Sequence, residues 1–111
     1  MQLNNTQNIE EVTMITTKQR AHLRALGNAL EPVMQIGKDG LSDNSLTAIR
    51  QVLEAREIAK FRVLQNCDDD PKILANQIAQ QINADVIQVI GKIFILYKRS
   101  HKKGAKHIEL P

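Results

Sequence analysis

The chain has 111 residues, enough for one domain with a core of its own. Lys and Arg number 15 against 12 Asp and Glu, a net charge of +3, and the only aromatic residues are Phe61, Phe94 and Tyr97. Those numbers exclude an aromatic platform for single-stranded nucleic acid, so a polyanion partner has to be held by charge and backbone amides.

Residues 1–13 are polar and aperiodic and are expected to form a flexible N-terminal extension, with Met14 as a second candidate start. Residues 14–100 carry the elements of the domain. Thr16-Thr17-Lys18-Gln19 offers a capping box, and Leu23, Leu26 and Leu30 follow at helical spacing. Lys18, Arg20 and Arg24 lie off that stripe. Two readings stand for them, a solvated helix face or a basic edge. Pro32 ends the helix, because the residue before proline avoids α geometry. Val33–Ile36 then reads as a strand.

Gly37-Lys38-Asp39-Gly40 follows, and Ser42 or Asp43 caps a second helix with core face Leu46, Ile49, Val52 and Leu53. Two glycines around two polar residues let a backbone approach a bulky anion. The helix start beyond them adds free N–H groups and a positive dipole end. A tight turn explains one of these glycines easily and two less well. Ile58–Leu64 is a second strand, with Ala59, Phe61 and Val63 on one face and Lys60 and Arg62 on the other. That basic pair is either the wet side of a sheet or part of a binding face.

Asp70-Pro71 starts a third helix, with Leu74, Ile78 and Ile82 inward. The three acids 68–70 are assigned to that helix N-terminus, where the dipole stabilises negative charge. Val86–Ile90 and Ile93–Tyr97 read as a hairpin around Gly91-Lys92, and the near-continuous apolar run of the last strand suggests a well-covered strand. The order α-β-α-β-α-β-β predicts an α/β domain with a four-stranded mixed sheet. From Lys98 to Lys106 there are five Lys or Arg and no acid. Residues 101–111 are expected to be a basic tail, free in solution, unless Ile108 and Leu110 add a further strand.

Chemistry has little to work with. The Gly loop lacks the spacing of a nucleotide-binding P-loop, and no dinucleotide fingerprint is present. Cys67 is the only cysteine, read as an inert thiol at a strand end that fits a reducing, cytoplasmic location. His22, His101 and His107 show no metal-ligand spacing. The chain is therefore read as a non-enzyme with no cofactor, no metal, no small-molecule substrate and no membrane association.

Three segments together are more specific than the loop alone: residues 32–42, residues 53–63 and residues 88–99. In that order they resemble the CRM domain family, named for chloroplast RNA splicing and ribosome maturation, and its stand-alone bacterial members. The resemblance covers about residues 14–100. It implies a fold similar to the C-terminal domain of translation initiation factor three, RNA binding, and association with precursors of the large ribosomal subunit. The family's GxxG loop falls on Gly37, Lys38, Asp39 and Gly40, and its basic positions on Lys18, Arg20, Arg24, Lys60 and Arg62. Lys98 and Arg99 extend this basic set. Ala59 and Arg56 depart from the family pattern at packing and helix-end positions. The expected function is binding of structured ribosomal RNA during large-subunit assembly. The alternative is a protein-interaction module that docks acidic partners on its basic face.

Overall fold

Thr16 opens the first helix by the predicted capping box: its hydroxyl accepts from the Gln19 N–H at 3.0 Å, and the Gln19 side chain accepts from the Thr16 N–H at 3.0 Å. The computed structural model describes residues 15–38 and 40–111. It runs α1 (Thr17–Asn28), β1 (Pro32–Ile36), α2 (Asp43–Arg56), β2 (Ile58–Val63), α3 (Pro71–Ile82), β3 (Asp85–Ile90) and β4 (Ile93–Tyr97). Ser42 caps α2, accepting from Ser45 N–H, and Asp70 caps α3 ahead of Pro71, accepting from Lys72 N–H. The expected extension of residues 1–13, and Met14, lie outside the described residues.

The sheet order is β1-β2-β4-β3, with β1 parallel to β2 and β4 antiparallel to both of its neighbours. The last strand thus enters the middle of the sheet. Its apolar run follows from that place, because both faces of β4 are covered from Phe94 to Tyr97. On one face Ala59, Phe61 and Val63 join Phe94 and Leu96 beneath α2 and α3, which contribute Leu46, Ile49, Leu53, Leu74, Ile78 and Ile82. Phe61 and Phe94 are register partners and stack with ring centroids 5.3 Å apart.

The opposite face carries Ile58, Ile87, Ile95 and Tyr97 beneath α1. Here the predicted leucine stripe needs a correction. Leu23 is buried, but Leu26 is 39 % exposed, and the inner position one turn on from Leu23 is Gly27. A Cβ at Gly27 would lie 2.7 Å from Ile95 Cδ1, so α1 rests on β4 through bare backbone.

The tail also departs from expectation. Ile108 and Leu110 pack against the α1 face without forming a strand. Glu57, 1 % exposed, anchors them: its carboxylate accepts from Ser100 N–H and Ile108 N–H at 2.7 Å each, and pairs with His107 Nδ1 at 2.5 Å. Glu54 accepts from the Ser100 hydroxyl and the His101 N–H, and the Gln19 side chain donates to the Pro111 carbonyl. Glu57 has φ +66°, a costly backbone geometry for a side-chain-bearing residue. Its carboxylate collects the tail's amides from that position, which is a reason for glutamate where glycine would be less strained. Spacing alone made the tail look free, because the carboxylates that hold it lie more than forty residues upstream. Cys67 is buried in the β2–α3 loop rather than at a strand end. Among the described residues no helix is long and apolar enough to cross a membrane.

Candidate nucleic-acid interface

Strand directions decide which loops meet. β1, β2 and β3 point one way and β4 the other. The β1–α2 loop, the β2–α3 loop, the β3–β4 turn and the N-termini of α2 and α3 therefore share one end of the sheet. The Val63 N–H donates to the Lys92 carbonyl at 2.7 Å and ties two of these segments together. The C-termini of α2 and α3 and the docked tail occupy the other end.

The Gly loop is a tight turn closed by Gly40 N–H donating to the Gly37 carbonyl at 2.9 Å. Ser45, in the first turn of α2, donates its hydroxyl to the Gly40 carbonyl at 3.2 Å. Leu41 packs into the core beyond. The two glycines have different standing. Gly40 is buried at φ +55°, and a Cβ there would meet Asp69 Oδ2 at 2.4 Å. The fold itself requires glycine at this position. Gly37 is not among the positive-φ residues, and a Cβ there would meet only Asn66 Oδ1 and Leu64 Cδ1, each at an ordinary 3.5 Å. Nothing in the fold requires glycine at 37. Lys38 is exposed between them. Asp39 lies outside the described residues.

Electrostatics around the loop are mixed. Asp69 sits against Gly40, and Asp43 occupies the first turn of α2, so carboxylates border the α2 side of the turn. The acidic run therefore does more than the helix start predicted for it: Asp70 caps α3, while Asp69 faces the Gly loop. Cations gather on the other side. Arg62 is exposed beside Gln35 on the α1 face of the sheet, and Lys92 is exposed at the hairpin turn. Neither has an ion-pair partner among the described residues. Lys92 was missed in the sequence because nothing there shows that β4 pairs with β2.

The other candidates divide. Lys60 lies on the α1 face with Arg62, and its Nζ donates to the Asn28 carbonyl at 3.3 Å. Arg20 is half-buried and donates to the Val86 carbonyl, pinning α1 to β3. It also faces Asp85, whose carboxyl is pushed up by burial and only partly pulled back by that guanidinium. Lys98 Nζ donates to the Ile82 carbonyl at 2.8 Å, at the C-terminus of α3. Lys18 is exposed in the first turn of α1, next to the Gln19 that reaches the tail. Arg24 is half-buried farther along α1, and Arg99 is exposed just past β4. The structure thus brings together Gly37, Lys38, Gly40, Arg62 and Lys92, with Lys60 one step along the sheet. It places Arg20, Lys98 and Arg99 toward the other end. The described residues contain no group of His, Cys, Asp and Glu able to hold a metal ion.

The chain is 42 % identical over 98 residues to "Probable RNA-binding protein YqeI" of Bacillus subtilis, covering 88 % of this chain and all of that protein. It is 33 % identical over 100 residues to an "RNA-binding protein" of Haemophilus influenzae, covering 90 % of this chain and 98 % of that one. The solution structure of the hypothetical protein SAV1595 from Staphylococcus aureus superposes with a TM-score of 0.72 at 41 % identity, over 88 % of this chain and all of the other. Residues 15–98, from the residue before the capping box to the residue after β4, match the CRS1 / YhbY (CRM) domain, and the chain belongs to that family.

Proposed function

We propose that this protein binds structured RNA without catalysis, gripping the phosphate backbone through the Gly37–Gly40 loop and the adjoining cations Lys38, Arg62, Lys60 and Lys92. Its target on this reading is ribosomal RNA of the assembling large subunit, met in the cytoplasm. Family membership and relatives named as RNA-binding proteins support the ligand class. The observation that carries the loop's role is Gly37. The fold leaves room for a side chain there, so folding does not account for this glycine, and its bare backbone is open to close approach by a ligand from outside. Arg62 and Lys92 continue the same end of the sheet as cations suited to a polyanion.

Titration of the protein with a structured ribosomal RNA fragment across a salt series tests this, with an acidic polypeptide as competitor. RNA binding should weaken linearly in log salt, with roughly 0.7–0.9 per phosphate contact, and the acidic polypeptide should not displace RNA at equal charge. Displacement by the polypeptide, with no RNA preference, would favour a protein-docking module. Crosslinking in cells and sequencing the attached RNA tests the ribosomal target, which fails if large-subunit RNA is not enriched.

A further inference from the structure

The α1 face of the sheet is only partly covered. Beyond the end of α1, one row crosses all four strands: Gln35, Arg62, Ile93 and Ile90, each the register partner of the next. Ile90 is 62 % exposed and Ile93 half-buried, an uncovered apolar pair beside an exposed guanidinium. The next row is Lys60, Ile95 and Gln88. Between these rows and the end of α1 lies a shallow pocket of about 200 Å³, lined by Asn28, Lys60, Gln88, Ile90, Ile93 and Ile95. Its floor is three isoleucines. Its rim has two carboxamides, each able both to donate and to accept, and one ammonium. Neither row carries a carboxylate.

We propose that this pocket receives one unpaired nucleobase of the bound RNA. The inference rests on the RNA-binding reading above and adds to it a contact to a base, where the loop contacts backbone. A base needs an apolar floor for its flat face and mixed donors and acceptors for its edge, and the pocket supplies both. Charge complementarity selects the occupant: Lys60 lines the pocket, Arg62 is the register partner of its Ile93, and Lys92 precedes that isoleucine at the hairpin turn, so an anionic chain is the one suited to carry the base. Aliphatic side chains replace the aromatic platform that the composition lacks, so the contact belongs at the weak end of base-stacking contributions.

The test uses the full chain and two RNA hairpins of equal phosphate number. One carries a single-stranded extension of uridines, and the other an extension of abasic nucleotides. Wild type should bind the uridine form about fivefold more tightly, and Ile90→Ser should erase that difference. Ile90 is already in water, so the variant should melt like wild type, and Gln88→Ala provides a second check from the rim. Equal affinity of wild type for both hairpins would overturn the pocket and leave the backbone reading intact. Discrimination that survives both substitutions would place base contact elsewhere and also overturn it. Binding of neither hairpin would remove the RNA-binding reading itself.

Discussion

The two glycines of the loop separate folding from binding when each is replaced by alanine. At Gly40 the backbone sits at φ +55°, where an L-side chain costs about 1–2 kcal/mol. The 2.4 Å approach of its Cβ to Asp69 Oδ2 adds less, because an exposed aspartate can rotate away. For a domain of this size, that loss lowers Tm by roughly 5–15 °C. At Gly37 the φ is not positive and the nearest atoms are 3.5 Å from the new Cβ. Alanine there restricts the unfolded chain and adds about 0.4–1 kcal/mol of stability. Gly37→Ala should therefore melt at or above the wild-type temperature yet bind RNA several-fold more weakly, and Gly40→Ala should mostly lose stability. Circular dichroism melts beside fluorescence anisotropy on labelled RNA measure both. A Gly37→Ala protein that folds and binds like wild type would refute the assignment of the loop to the ligand.

Charge at the same end gives a paired expectation: Lys38→Ala should lower the magnitude of the salt slope by roughly 0.7–0.9, while Asp69→Asn should tighten RNA binding about two- to threefold by removing a carboxylate beside the turn. Both are read from affinities across a salt series, and an unchanged slope for Lys38→Ala would detach that side chain from phosphate. The docked tail should be protease-resistant, and Glu57→Gln should release it at a cost of about 1–3 kcal/mol, read as loss of resistance and of Tm. Burial alone would raise the Glu57 carboxyl, but hydrogen bonds from Ser100, His107 and Ile108 outweigh it and hold it below its ordinary 4.5. A depressed carboxylate contributes fully above 4.5 and loses its contribution as pH falls through the folded value. The Tm gap between wild type and Glu57→Gln should accordingly narrow as pH falls below about 4.5. A gap that widens below about 4.5 would contradict the anchor.

Much of this fold is visible in short-range pattern. The capping box at Thr16–Gln19, the Asp70-Pro71 start and the alternation of Ile58–Val63 act within a few residues, and each appears as read. What the sequence hides is long-range. Insertion of β4 between β2 and β3 brings Lys92 to the end of the sheet that holds the Gly loop, and no local signal encodes that pairing. Gly27 looks like a weak helix position until Ile95 is seen against it. Basic residues are legible as a set but not as a surface: Arg20 and Lys98 each donate to a main-chain carbonyl, while Arg62 stands open. The Gly loop is legible as a motif, and the structure separates the glycine that the turn needs from the one it does not.

Ultraviolet crosslinking of the full chain to a ribosomal RNA fragment, with adducts located by mass spectrometry of the peptides, tests the central claim most directly. Adducts should concentrate on peptides that contain Gly37-Lys38, Lys60–Arg62 and Ile90–Ile93, which one end and one face of the sheet bring together. Adducts confined to the first turn of α1 and to residues 98–106, with the Gly-loop peptide clean, would contradict it.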